Sequence, residues 1–151
     1  MITSARSGYT FLDDAGDRDR GVAVAGFRDR WAELTAAGLP VAVLSDTPRM
    51  PDEARECVTE SGATPADAAG CGVDRSEAYS LPEYFHAAAR DARDVTLVHL
   101  GDRFCTQDRC PAVVGSVFVY RDGSSHVTDT FARTLRPWLD TRLQPFVARV
   151  G

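Results

Sequence analysis

Apolar and polar positions alternate along the chain in blocks that predict strands followed by helices. "MITSA" at residues 1–5 is a short apolar start, and "LPVAVLSD" (39–46) and "VTLVHL" (95–100) are continuous apolar runs. Such runs are typical of strands covered on both faces of a sheet. Residues 24–37 instead repeat apolar side chains at the helical period, and Gly38 ends that helix. The apolar stripe of this helix comprises Val24, Phe27, Trp31 and Leu34.

The second half of the chain continues the same order. A helix is predicted over residues 82–93, with Pro82 in its first turn. "AVVGSVFVY" (112–120) is the last predicted strand, and a final helix is predicted from near Val127. Its shared face comprises Phe131, Leu135, Trp138 and Leu139. The resulting βαβαβα order predicts an α/β fold with a parallel, helix-covered sheet. Residues 52–73, rich in Gly, Ala, Asp and Glu, are predicted to form a surface excursion.

Length and charge limit the kinds of protein that this can be. The 151 residues fit one domain with one core. With 17 basic and 22 acidic residues the net charge is −5, which disfavours nucleic acid or an anionic membrane surface as the main partner. The sequence contains no apolar run of about 18 residues and no secretory signal pattern.

Four cysteines occur in two local pairs, Cys57 with Cys71 and Cys105 with Cys110. An even number in such pairs favours two disulfides and an oxidising compartment. Two alternatives stay open at this stage. The cysteines could be reduced and buried as small apolar side chains, or Cys105 and Cys110 could form a zinc site with His99.

Asp122 and His126 follow the last predicted strand, where loops of an open parallel sheet collect functional residues. A histidine that acts as a general base needs its ring oriented and its cation stabilised, and a nearby aspartate supplies both. The alternative is structural: Asp122 caps a turn and His126 is a solvated residue before the helix.

Two segments, "LSDTPRMP" (44–51) and "CTQDRCPAVVGSVFVYRDGSSHVTDTFARTLRPWL" (105–139), resemble the C-terminal part of SGNH hydrolase-like domains fused to bacterial membrane acyltransferases of family three. The resemblance implies a flavodoxin-like three-layer sandwich with a mostly parallel sheet. It implies a Ser, His, Asp triad that moves or removes acyl groups on carbohydrate, with His126 as base and Asp122 as its orienting acid. It implies no cofactor. The expected partners are an acylated carbohydrate and a membrane acyltransferase domain, on the extracytoplasmic side of the membrane.

The chain departs from the family pattern in three ways. Three residues separate Asp122 from His126 where the family usually has two, so the pairing needs a bulged turn, which Gly123 would permit. The sequence contains no Gly-Asp-Ser motif for the nucleophile, and no Asn for an oxyanion hole. We therefore expect residues 1–151 to be a single SGNH-like domain, incomplete at its N-terminal end, membrane-associated through the missing region and inactive alone. The alternatives are a catalytically silent module that binds carbohydrate or a partner chain, and a small redox or metal protein.

Local serines and arginines offer further candidates. Ser45 ends a buried strand, and Ser4 and Ser7 follow the first one, so each is a conceivable nucleophile, although turn or cap roles are more typical of such positions. Asp46 is interpreted as a turn residue at the strand end. Three arginines could contact an anionic or sugar substrate, or be ordinary solvated side chains: Arg6, Arg49 and Arg121.

Overall fold

The computed structural model describes residues 1–62, 64–122 and 125–149, and these alternate between strands and helices. The strands are β1 (Ile2–Thr3), β2 (Val41–Leu44), β3 (Gly72–Asp74), β4 (Val95–Val98), β5 (Arg109–Pro111), β6 (Val113–Val114) and β7 (Val117–Phe118). The α-helices are α1 (Arg20–Ala36), α2 (Asp52–Glu60), α3 (Arg75–Ala78), α4 (Tyr84–Arg90), α5 (Gly101–Phe104) and α6 (Asp129–Val147). A 3-10 helix spans Asp67–Gly70. Among the described residues no helix is both long enough and apolar enough to cross a bilayer.

The chain divides into two compact units. The sheet unit comprises Met1–Asp46, Leu81–His99 and the chain from Asp140 onward. The hairpin unit comprises Thr47–Ser80 and Leu100–Leu139.

The sheet unit contains the parallel sheet that the apolar runs predict. Its order is β1-β2-β4, and both neighbouring pairs are parallel. The central strand β2 is buried on both faces, since Val41, Ala42 and Val43 are all fully inaccessible to solvent. This explains the continuous apolar run, because a strand covered on both sides cannot alternate apolar with polar residues. The predicted α/β fold class with a parallel sheet is confirmed.

Helices α1 and α4 supply the aromatic half of the core in the sheet unit. Trp31 of α1 and Phe85 of α4 pack with Val41 and Val43 of β2. Helix α1 ends as the sequence predicts: Gly38 has a φ of +78° and donates to the Thr35 carbonyl at 3.0 Å. The next residue, Leu39, donates to the carbonyl of Leu34 at 2.9 Å, which completes a Schellman motif.

The segment 52–73 contains more regular structure than the predicted surface excursion. Helix α2 and the 3-10 helix occupy most of it. Helix α2 begins after Pro51, has Asp52 and Glu53 in its first turn and buries Ala54. Acidic residues favour a helix N-terminus, and the apolar and polar positions of this helix lie on opposite faces. A disulfide joins Cys57 of α2 to Cys71, as predicted.

The prediction that residues 112–120 form one strand of the parallel sheet is wrong. The segment folds into an antiparallel pair, β6 with β7, separated by Gly115 and Ser116. Gly115 has a φ of +63°, which two-residue hairpin turns require and which glycine adopts without strain. The turn therefore divides an apolar run that reads as continuous. Strands β3 and β5 form a second antiparallel pair in the same unit.

Aromatic and aliphatic side chains fill the core of the hairpin unit. Phe104 and Phe131 are each 2% exposed, and their ring centroids lie 5.1 Å apart. Val119 is fully buried. Helix α6 starts two residues later than predicted because Thr128 caps it: the Thr128 hydroxyl accepts the Phe131 N–H at 3.1 Å. The second predicted disulfide, Cys105–Cys110, also belongs to this unit.

Candidate functional site

The segment after β7 folds back on itself and carries both residues of the predicted acid/base pair. Tyr120 and Val127 form an antiparallel bridge, and the Arg121 N–H donates to the His126 carbonyl at 2.8 Å. The Thr128 N–H donates to the Val119 carbonyl at 2.9 Å. These bonds pair the chain on the two sides of Asp122 and His126.

The structure brings Asp122 and His126 into direct contact. Nδ1 of His126 lies 2.9 Å from Oδ2 and 3.0 Å from Oδ1 of Asp122. The His126 side chain is 64% exposed and that of Asp122 is 37% exposed. Because an ionised carboxylate can only accept, the contact assigns a proton to Nδ1 and leaves Nε2 as the free acceptor of a neutral ring. This is the tautomer that a general base needs.

Ser125 positions this loop in a way that the sequence did not indicate. It has a φ of +62°, in the left-handed region that non-glycine residues seldom adopt. Its N–H donates to the Asp122 carbonyl at 3.2 Å, and its hydroxyl accepts the Met50 N–H at 2.8 Å. The strained residue is thus held from both sides. Gly123, which was expected to permit the turn, lies outside the described residues.

Arg121 adds a positive charge beside the pair. Its Nη2 lies 3.5 Å from Oδ2 of Asp122, with the Arg121 side chain 72% exposed. An ion pair this exposed contributes little to stability. Its guanidinium therefore remains accessible to a solute.

A cavity of about 350 Å³ adjoins Asp122 within the hairpin unit. Its wall is formed by α2, by the hairpin of β6 and β7 with the residues that flank it, and by Met50. Arg121 and Asp122 are part of this wall. The Tyr120 hydroxyl donates to the Pro48 carbonyl at 2.9 Å, which ties the hairpin side of the cavity to the Met50 side. This cavity could not be predicted from the sequence, because its walls come from three separate segments.

The local serines proposed as nucleophiles belong to the sheet unit. Ser45 is only 1% exposed, so its hydroxyl is closed to a substrate in this conformation. Ser4 is exposed, and Ser7 is half-buried. The Ser7 N–H donates to Oδ2 of Asp46 at 2.6 Å, which supports the structural interpretation of Asp46 at the end of β2.

A second polar cluster lies at the carboxyl ends of β2 and β4 in the sheet unit, and sequence reasoning missed most of it. Glu83 accepts the Asp46 N–H at 2.7 Å through Oε1, and its Oε2 lies 3.5 Å from Nδ1 of His86. The rings of His86 and His99 are in edge contact, with centroids 5.0 Å apart. These bonds join α4 to the strand ends, so the cluster has a clear structural role.

The alternative of a zinc site formed by Cys105, Cys110 and His99 is wrong. Cys105 and Cys110 are joined to each other in a disulfide, and disulfide sulfurs are not the thiolates that zinc binds. Within the described residues no group of three or more His, Cys, Asp or Glu side chains has the geometry to hold a metal ion.

The contact between Asp122 and His126 predicts a specific tautomer. In mildly alkaline solution, ¹⁵N NMR is expected to show His126 with its proton on Nδ1. The Asp122→Ala variant is expected to move that proton to Nε2, the form that unconstrained histidines prefer.

Asp129→Ala is the matched control, since it removes one carboxylate in the same unit without touching the ring. Asp129 accepts from Nε of Arg133 at 2.8 Å, a hydrogen bond that raises the pKa of the Arg133 guanidinium. Its removal is expected to leave the His126 tautomer unchanged. An Nε2–H tautomer in the unaltered chain would contradict the orientation described here.

Comparison with known proteins gives one family. The family model described as "SGNH domain (fused to AT3 domains)" matches residues 2–141. No curated protein and no solved structure matches the chain. The matched range includes both segments that carry the resemblance in the sequence, as well as Asp122 and His126.

Proposed function

The chain belongs to the family of SGNH domains fused to AT3 domains, and from this membership we propose that it takes part in O-acyl transfer or ester hydrolysis on cell-surface carbohydrate. The family itself makes the chain a hydrolase-like, acyl-related module. The single observation that supports the finer proposal is the 2.9 Å contact between Nδ1 of His126 and Asp122. A histidine oriented in this way can remove a proton from a hydroxyl at Nε2.

In the proposed mechanism, Nε2 of His126 takes the proton of a serine hydroxyl as the serine oxygen attacks the acyl carbonyl. Asp122 holds the ring through Nδ1 and stabilises the imidazolium that forms. His126 then returns the proton to the departing sugar oxygen. Water or a second sugar hydroxyl, deprotonated in the same way, accepts the acyl group.

The nucleophilic serine is the part that the 151 residues do not supply in a Gly-Asp-Ser motif. An asparagine donor to the oxyanion likewise cannot come from within these residues, since the sequence has no Asn. We therefore propose that the 151-residue chain is inactive alone. We also propose that it acts on the extracytoplasmic side of the membrane together with an AT3 acyltransferase domain. Both disulfides support an oxidising compartment.

The second candidate function is a catalytically silent module that binds carbohydrate or a partner chain. The missing Gly-Asp-Ser motif favours it. The coding sequence upstream of Met1 separates the two candidates. An in-frame Gly-Asp-Ser run, preceded by apolar segments of transmembrane length, supports the enzyme. A stop codon directly upstream, with no such run, supports the silent module.

Hydrolysis of p-nitrophenyl acetate tests the proposed inactivity of the isolated chain. We expect the purified chain and its His126→Ala variant to hydrolyse the ester at equal rates, with neither exceeding the buffer control. The physical reason is that an oriented base has no hydroxyl to activate in a Gly-Asp-Ser motif. A rate well above buffer that His126→Ala abolishes would show that a serine within these residues acts as the nucleophile.

A further inference from the structure

The cavity beside Asp122 has an apolar floor. Met50 and Ala112, each 4% exposed, are members of the buried cluster in the hairpin unit, and Val58, Phe118 and Tyr120 pack against that cluster. All five line the cavity. The cavity is thus an opening onto core side chains, and such a surface favours aliphatic groups over water.

The polar part of the cavity wall carries two guanidinium groups. Those of Arg55 and Arg121 line it together with the single carboxylate of Asp122. Both arginines have exposed ion-pair partners among the described residues: Arg55 with Asp52 at 3.1 Å and Arg121 with Asp122 at 3.5 Å. Such pairs are weak in water and can accept a competing anion.

An apolar floor below two guanidinium groups is complementary to an aliphatic chain that ends in a carboxylate. We propose that this cavity binds short aliphatic carboxylates; that these are the acids released by ester hydrolysis is an interpretation that rests on the proposed function. The methylene groups cover the floor formed by Met50, Val58 and Phe118. The carboxylate accepts from Arg55 or Arg121, in the bidentate geometry that guanidinium groups offer.

The volume makes the cavity selective for chains longer than acetate. At about 350 Å³ it falls at the small end of the range for small-molecule sites, roughly 300–1,000 Å³. Acetate has a single methyl group and leaves most of such a floor uncovered. Each further methylene that is fully buried strengthens binding about fourfold.

NMR titration of the ¹⁵N-labelled chain with sodium acetate, butyrate and hexanoate tests the proposal. Hexanoate is expected to bind about 15-fold more tightly than butyrate if both of its extra methylenes are buried. Acetate is expected to bind more weakly than either. The amide signals of Met50, Val58 and Phe118 are expected to shift. Equal affinities along the series, or shifts confined to other parts of the chain, would overturn the proposal.

Neutral ligands test the charged half of the cavity. 1-Hexanol, which has the same chain length, is expected to bind more weakly than hexanoate. Arg55→Gln and Arg121→Gln are each expected to weaken hexanoate and to leave 1-hexanol unchanged. If hexanoate and 1-hexanol bind equally, the proposed role of the two arginines is wrong.

A matched pair of variants on α2 tests the location. Thr59 lines the cavity and is exposed, so Thr59→Trp is expected to fill the opening and to abolish the hexanoate-induced shifts without disturbing the core. Glu56 is exposed on the same helix and does not line the cavity, so Glu56→Trp is expected to leave binding intact. Unchanged binding in Thr59→Trp would remove the cavity as the binding site.

The outcome is independent of the test of the acid/base pair. Absent binding, with an Nδ1–H tautomer that depends on Asp122, would overturn the carboxylate site and leave the proposed function standing. Observed binding, with a tautomer that does not change in Asp122→Ala, would support the carboxylate site and contradict the proposed function.

Discussion

Phe85→Ala is expected to lower the free energy of unfolding of the sheet unit by about 3–5 kcal/mol. Phe85 is 6% exposed, and its ring is in edge contact with Phe27 and Trp31, with centroid distances of 4.4 and 5.2 Å. Removal of the ring leaves a void against the inward side chains of β2, and it removes both aromatic contacts. Urea unfolding, followed by tryptophan fluorescence and by far-UV circular dichroism, measures the loss.

Two control variants in the sheet unit separate the ring's packing from general effects of substitution. Leu12 is 55% exposed, so Leu12→Ala is expected to change the free energy of unfolding by no more than about 0.5 kcal/mol. Phe85→Leu keeps part of the volume and is expected to lose less than Phe85→Ala. A loss below about 1 kcal/mol for Phe85→Ala would contradict the packing of α4 against the sheet.

The parts of the fold that could be predicted from sequence are those with a local physical cause. Strand β2 is buried on both faces, so its apolar run is visible without knowledge of its neighbours. Helix α1 ends at a glycine with positive φ, which is a local signal, and Val24, Phe27 and Leu34 of its predicted stripe pack against the core. The predicted disulfides also join cysteines close in sequence.

The errors arose in segments where two local signals indicate different structures. The apolar residues of 112–120 indicate a single strand, whereas Gly115 and Ser116 between them indicate a two-residue turn, and the turn prevails. Helix α2 is amphipathic, but it buries only Ala54 and lies in a segment whose Gly, Ala, Asp and Glu content is typical of loops. A disulfide also anchors it to Cys71, outside the helix.

The candidate site shows the same division. Asp122 and His126 are four residues apart, so a contact between them could be inferred from the sequence and from the family resemblance. The bond from the Met50 N–H to Ser125 spans 75 residues and could not. The cavity is equally non-local, because α2, the hairpin and Met50 meet only after folding. The residues that line the cavity are therefore harder to predict from the sequence than the acid/base pair.

The double variant Cys57→Ser/Cys71→Ala is expected to lose about 3 kcal/mol in free energy of unfolding and to lose most of its affinity for hexanoate. The disulfide closes a loop with a sequence separation of 14, and the chain-entropy model assigns about 3 kcal/mol to a loop of that length. Alanine is used at position 71 because that side chain is 3% exposed and a hydroxyl there would be buried. The affinity falls because Arg55, Val58 and Thr59 all lie on α2, the helix that this disulfide anchors.

Removal of the other disulfide is the comparison that makes this result specific. Cys105→Ala/Cys110→Ala opens a loop with a sequence separation of only 5, for which the same model gives about 2 kcal/mol. Neither cysteine lines the cavity, so this variant is expected to retain hexanoate binding under conditions where it is folded. Urea unfolding and the NMR titration together distinguish the two bridges. If Cys57→Ser/Cys71→Ala binds hexanoate as tightly as the unaltered chain does, the disulfide is not needed to form the cavity wall. The packing of Ala54 and Val58 is then sufficient to hold α2 in place.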